Sequence, residues 1–577
     1  DRAFLTHAAP PTADDDDDGP PDLDVSDSDS DDEQEDAEAA AAHERGEIDL
    51  DAPEPKTPAE AQASPEWPFW KKATDTEVKS YADRGCFIER DEAEVKAAGG
   101  VILDSKMVYK RKRTKKHKVS RHRARLTAKG CAQKEGRDFF NTYAAVANSV
   151  LVRIIIALAC AALMACVHID VKTAFLYGDL KEELYMRPPK GLTKPGIIWE
   201  LRKSVYGLRQ SNANWAKLLA GTLKDFKLQS LFGEDVVFYR REPGKDLVIV
   251  ICYVDDVIIL SRDTQALADL RNMLRKKFQL GDQGPLEWFL AVRYDYDQKR
   301  GSVTASQVKY VRSILKKFGF DGKGVKTADT PMEEGLAFTD ADTPEEVNEE
   351  DREWYQSALG SLIFLSGWTR PDLAYAVSVL SRYANNPGPR HMAAMKRVFR
   401  YLRGTIHLGI SFKKQKKGER DILTFFVDSD FAGDKHGRKS RSGLVAFLNG
   451  GPVAWASKLQ GLVALSTAEA EYVAACQCVR MAKYLVNVIE ALGYVQPRPV
   501  QVFEDNEACI KMSEGTASSE RTKHIDIKYH YVRDQVSERF VKLEHVDSVD
   551  NVADIFTKPL GREAFLRLRD RLMVKVK

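Results

Sequence analysis

The stretch that most constrains this chain is Tyr253-Val254-Asp255-Asp256. It lies between two unbroken apolar runs, Leu247-Val-Ile-Val-Ile-Cys252 and Val257-Ile-Ile-Leu260. Both runs are short and β-branched, so they read as strands. Two adjacent Asp residues between them read as the tight turn of a β-hairpin. Neighbouring carboxylates at the tip of a buried hairpin repel each other and lose hydration. A hard divalent cation such as Mg²⁺ offsets that cost, because it takes carboxylate oxygens together with substrate phosphates. An ordinary surface turn is the competing reading, and the rest of the chain must decide between them.

Charge is distributed unevenly. Residues 1–66 hold 23 acidic and three basic residues, while the remaining chain holds 84 basic and 63 acidic ones. A basic body behind an acidic segment points to a polyanionic partner. Residues 1–66, with Asp14–Asp18 and an SDSDSDDE run, are expected to be a disordered acidic linker. The eight cysteines form no CxxC pair and mostly sit in apolar runs, so they read as buried free thiols in a reducing compartment. The longest charge-free apolar run, Ile154 to Val167, has 14 residues, which suits a core helix better than a membrane span. No signal-peptide pattern is recognisable, so neither secretion nor a membrane partner is expected. The chain begins at Asp1, which reads as a fragment of a longer polyprotein.

Along the chain, Lys106-Met-Val-Tyr109 and Ala124-Arg-Leu-Thr-Ala128 read as arms of a hairpin around a basic tip. That tip suits phosphates, a nuclear-localisation patch or plain solvation. Asp170 ends the short strand after the core helix, and its role depends on whether the fold brings it to Asp255 and Asp256. Residues 264–280 read as an amphipathic basic helix and 322–350 as a loop. A second α/β pattern starts at Leu423. Asp428 and Asp505 end strands there, while Glu471 and Asp554 lie in first helical turns. Convergence of these four at one sheet edge would suit two cations about 3.5–4 Å apart acting on a phosphodiester. His545 would assist as a proton shuttle. Singly, each acid reads first as a cap or a surface residue.

The motifs in their order resemble one family. They are Ala124-Arg-Leu-Thr-Ala-Lys-Gly130, Asp170-Val-Lys-Thr-Ala-Phe-Leu-Tyr-Gly178, Val205-Tyr-Gly-Leu-Arg-Gln-Ser211 and Tyr253-Val-Asp-Asp256, then Thr369-Arg-Pro-Asp372, Leu465-Ser-Thr-Ala-Glu-Ala-Glu-Tyr472, Arg521-Thr-Lys-His-Ile-Asp-Ile-Lys-Tyr-His530 and Ala553-Asp-Ile-Phe-Thr-Lys-Pro-Leu560. From about Trp67 to Leu572 the chain resembles the reverse transcriptase and RNase H portion of the Copia-type LTR-retrotransposon Pol polyprotein.

The resemblance implies an α+β multidomain protein: a right-hand polymerase with fingers, palm, thumb and connection, then an α/β RNase H-like domain. The expected divisions are fingers and palm at 67–263, a thumb-like region at 264–335, connection at 336–420 and RNase H-like domain at 421–577. It implies Asp170, Asp255 and Asp256 as the polymerase triad on Mg²⁺, two ions per site, with Mn²⁺ as a substitute. It places Arg123 and Arg125 on the incoming triphosphate, Phe175 against a ribose 2′-OH and Gln210 on the nucleotide. Asp428, Glu471, Asp505 and Asp554 become the RNase H ligands, with His545 accessory and Asp430 and Glu469 ranked behind them.

Implied partners are an RNA template, a DNA or tRNA-derived primer, dNTPs and an RNA–DNA hybrid, with an integrase upstream in the polyprotein. The implied location is the cytoplasm, in a virus-like particle, or the nucleus. Four departures from the family pattern stand out: Ala145-Val146, Ser211-Asn212, Phe289-Leu290-Ala291, and Arg123 behind a basic insert. A catalytically silent or host-domesticated nucleic-acid-binding relic is the competing reading.

Overall fold

The structure, a computed structural model, describes residues 53–113, 119–145, 147–416, 422–515 and 526–576. Most of the acidic segment, the basic tip, residue 146, the charged turn near 420 and the stretch from Arg521 to Ile525 lie outside the described residues.

Helix α1 (Trp67–Asp83) packs on a two-stranded hairpin, β1 (Ser105–Arg113) and β2 (Val119–Ala128). On β2 every second residue (His122, Ala124, Leu126, Ala128) is buried, which leaves Arg121, Arg123 and Arg125 together on the other face. Glu66, just before α1, anchors the unit. Its carboxylate accepts from Arg111 at 2.7 Å and lies 2.6 Å from the His122 ring nitrogen.

Helix α2 (Ser149–Ala161) is buried on every side, as expected of a helix apolar all round. It leads into β3 (Ala165–Val171). After α3 (Ser211–Asp225) come β4 (Val248–Tyr253), β5 (Asp256–Ser261), α4 (Thr264–Lys277) and β6 (Leu280–Pro285). The six-stranded palm sheet runs β6-β3-β5-β4, then Val237–Arg240 and Gln229–Ser230. Along β4, Val248, Val250 and Cys252 face α3 and α4, while Ile249 and Ile251 share a core with α2. Both faces are covered, which is why the flanking runs show no polar alternation.

Residues 264–285, expected in the thumb-like region, lie in the palm instead. Leu267, Leu270 and Leu274 of α4 pack under the sheet, and β6 is hydrogen-bonded to β3. The amphipathic helix is present, but its apolar face is covered by the palm.

A five-stranded sheet follows: Trp288–Phe289, β7 (Val292–Asp297), β8 (Ser302–Ser306), β9 (Leu408–Lys413) and the C-terminal Val574–Lys575. This sheet crosses the expected divisions at 335 and 420, because residues far apart in sequence complete it. Between β8 and β9 run α5 (Glu349–Trp368) and α6 (Pro389–Gly404). The last sheet contains β10 (Thr424–Asp430), β11 (Arg441–Leu448), β12 (Gly451–Leu459), β13 (Val500–Glu504) and β14 (Val541–His545), in the order β12-β11-β10-β13-β14. Strands β10, β13 and β14 are parallel, and α7 (Thr467–Ala491) packs chiefly on β10 and β11. Among the described residues no helix is long and apolar enough to cross a membrane.

Two candidate active sites

Strand pairing builds the first site. In the β4–β5 hairpin Tyr253 pairs with Asp256, so Val254 and Asp255 alone form the turn. Across β5, Asp256 stands opposite Asp170 of β3, and the Val171 amide donates to the Asp255 carbonyl at 2.9 Å. The turn is strained. Val254 adopts φ +53°, a conformation β-branched residues avoid, at a cost of about 1–3 kcal/mol. The Trp215 indole holds it there by donating to the Val254 carbonyl at 2.6 Å.

The three acids therefore share one sheet end, but they are not equivalent. Asp256 Oδ1 lies 2.7 Å from Nε2 of buried His168, two residues before Asp170 and on the same side of β3. His168 in turn meets the edge of Phe289. Desolvation and the Asp256 charge push the Asp255 carboxyl up to about 6, against the opposing pull of Arg125 and Arg123. Crowded, desolvated carboxyls of this kind fit a hard divalent cation.

Arg125 projects from the fingers hairpin over the Tyr206 ring, 4.2 Å from its centre. Phe175 follows Asp170 on a 3-10 turn (Ala174–Tyr177) and sets its ring against Tyr206 at 5.2 Å and 73°. Gln210 lies inside the fold. It is 1% exposed, its amide donates to the Asp138 carbonyl at 3.0 Å, and its Oε1 accepts from Gln133 at 3.0 Å. These bonds tie Gln210 to the 133–138 loop.

The second site sits at one end of the last sheet. Asp428 on β10, Asp505 just past β13 and Glu471 on α7 place ligand oxygens within 4.8 Å of one another. Desolvation pushes Glu471 and Asp428 well up, the first aided by Glu504 and the second by Asp554. Glu471 Oε2 is buried without a hydrogen-bond partner, the state of a ligand atom prepared for a cation.

Asp554 lies on a 3-10 turn (Val552–Phe556), and its Oδ1 is 2.8 Å from Lys558 Nζ. The turn is tied to the sheet by Asn551, which donates to the Val427 carbonyl at 2.9 Å, and by Thr557, which donates to Asp428. Gly443 on β11 permits this approach: a Cβ there would stand 2.6 Å from Thr557 Cγ2. His545 is exposed at the end of β14, in register with Glu504. Glu469 is occupied in capping, its carboxylate accepting from the Leu465 amide at 2.7 Å.

Three side chains escaped the reading from sequence: His168, Tyr206 and Glu504. Glu504 is fully buried, with Oε1 accepting from Asn506 N at 3.0 Å and Oε2 unpartnered. Its signal was there to read, since it continues the buried Val500–Val502 register of β13.

Residues 96–334 match the family described as reverse transcriptase (RNA-dependent DNA polymerase). The chain is 34% identical over 514 residues to the retrovirus-related Pol polyprotein from transposon TNT 1-94 of Nicotiana tabacum, covering 88% of this chain and 38% of that one. It is 31% identical over 484 residues to the corresponding polyprotein from transposon RE1 of Arabidopsis thaliana, covering 82% and 32%. The chain thus spans about a third of the length of these curated relatives. A solved foamy viral protease-reverse transcriptase in complex with double-stranded DNA aligns with 83% of this chain and 70% of its own, at 12% identity and a TM-score of 0.46. Over most of its length the chain is therefore similar to the Pol polyproteins of Copia-type retrotransposons, with residues 96–334 matching the reverse transcriptase family.

Proposed function

We propose that this chain synthesises DNA on an RNA template and cleaves the RNA strand of the resulting hybrid. The observation that carries the reading is the register of Asp256 against Asp170, with Asp255 at the adjoining turn. Two remote segments thereby deliver three acids to one point beside two arginines of the fingers.

At the first site Asp170 and Asp255 would hold the cations, and Asp256 acts through its bond to His168. Arg125, with Arg123 beside it, takes the triphosphate of a dNTP, a task that suits the guanidinium fork. Phe175, soon after Asp170 in the chain and packed on Tyr206, takes the task of excluding a ribose 2′-OH. Bound Mg²⁺, or Mn²⁺ in its place, lowers the pKa of the attacking oxygen and neutralises charge on the leaving oxygens. The primer, of DNA or tRNA origin, and the template are held through their backbones by the basic body, so binding weakens steeply with salt.

At the second site Asp428, Glu471 and Asp505 would hold the cation set, and Asp554 with Lys558 borders it. His545, exposed at the rim, is free to carry a proton. The RNA–DNA hybrid is the substrate there.

The test is a pair of variants of the purified chain. Asp255→Asn should abolish extension of oligo(dT) on poly(rA) and keep cleavage of a labelled hybrid. Asp505→Asn should do the reverse. A parent with neither activity in Mg²⁺ or Mn²⁺ would leave the silent relic as the correct reading.

A further inference from the structure

Tyr206 stands between the two groups that would meet an incoming nucleotide. One face of its ring carries the Arg125 guanidinium at 4.2 Å, and the ring also packs against Phe175 at 5.2 Å and 73°. Tyr206 is 8% exposed, so its ring is packed between these neighbours and is not a free surface group.

Its backbone is equally fixed. The Tyr206 carbonyl accepts from the Ala128 amide at 2.8 Å, three residues past Arg125. Gly207 takes φ +86°, and a Cβ there would lie 2.1 Å from the Ala128 carbonyl oxygen. Gly130 meets the Gly207 carbonyl just as closely. Ser211 adds a bond to the Val205 carbonyl at 2.6 Å. The loop bearing Tyr206 is thus interlocked with the end of the fingers strand, and the ring cannot drift from either neighbour.

We infer that Tyr206 is the positioning residue for nucleotide selection at the polymerase site. Its face holds the triphosphate-binding arginine, and its edge-to-face packing fixes the aromatic ring that excludes a 2′-hydroxyl. The inference rests on the polymerase reading. An arginine on an aromatic face keeps its fork oriented at little entropic cost. An edge-to-face aromatic pair resists rotation of either ring. Removing the ring frees both groups at once, so triphosphate affinity and sugar discrimination fall together. A residue that merely supports the fold would change the fraction of active enzyme and leave both untouched.

The experiment is steady-state incorporation of single dNTPs and rNTPs by the full chain. Tyr206→Leu should raise KM for the dNTP about tenfold through loss of the stacked cation. It should lower the deoxy-over-ribo preference about tenfold through release of the Phe175 ring. Tyr206→Phe should keep both values, since the ring and not the hydroxyl carries the effect. In a Phe175→Ala background, Tyr206→Leu should still raise KM but cost no further preference. Tyr206→Met carries the same expectation should the leucine variant be insoluble. A leucine variant that keeps the parent's KM and preference, or loses kcat alone, overturns the inference while the polymerase reading stands. A parent that extends no primer overturns both.

Discussion

Arg153 offers the sharpest test of how the two sites are joined. It lies on α2 of the palm and is 2% exposed. Its Nε donates to the Val453 carbonyl at 2.8 Å, and its Nη1 to the carbonyls of Gly367 and Trp368 at 2.6 and 3.0 Å. The guanidinium lies 3.9 Å from the centre of the Trp455 ring, whose indole donates to the Ser366 carbonyl at 2.9 Å. Palm, α5 and β12 therefore meet on one cation. Burial lowers its pKa to about 9, so it stays charged at neutral pH.

Arg153→Met keeps the apolar stem and leaves three carbonyls in a dry core. Each orphaned acceptor costs about 1–3 kcal/mol, partly offset because a buried charge is also removed. The net expectation is a loss of about 3–5 kcal/mol, the range seen when one partner of a buried charged network is deleted. Urea unfolding followed by tryptophan fluorescence measures it, and hydrogen exchange at 366–368 and 453–455 localises it. A loss under about 1 kcal/mol would mean that water reaches the three carbonyls, and the argument for a dry junction would fail.

Three further outcomes are expected. Burial raises the Glu66 carboxyl, but hydrogen bonds from His122 and Arg111 more than reverse this, to about 2. Its folded value lies below its ordinary 4.5, so the stabilisation is complete above pH 4.5 and is lost as pH falls toward 2. Thermal unfolding across that window should show a loss of about 2–3 kcal/mol, which Glu66→Gln should largely abolish. Lys558→Met removes the ammonium that binds Asp554 and faces Asp428 and Asp430, so Mg²⁺ titration of hybrid cleavage should show a severalfold lower midpoint. Gly443→Ala drives a methyl into Thr557 and the Ala553 carbonyl, so it should cut hybrid cleavage steeply while primer extension persists.

The residues alone determined a good deal. The apolar runs around Tyr253–Asp256 announced a buried hairpin, and the acids at 170, 428, 471, 505 and 554 stood out as charges ending strands or opening helices. The α+β class and the two acidic centres came with the family resemblance that the ordered motifs carry, since the patterns alone left each acid open as a cap or a surface residue. Periodicity is local, however: it says which face of an element is apolar and nothing about what covers it. Only the folded chain decided that α4 closes the palm and that the C-terminal strand completes a sheet begun near residue 288. Gln210 and Tyr206 stand four residues apart in one motif, yet the turn at Gly207 sends one amide into the fingers loop and the other ring into the cleft. His168 became a partner of Asp256 because strand register, set by distant pairing, put them side by side. Non-local register and close approach are properties of the assembled core, and no window along the chain contains them.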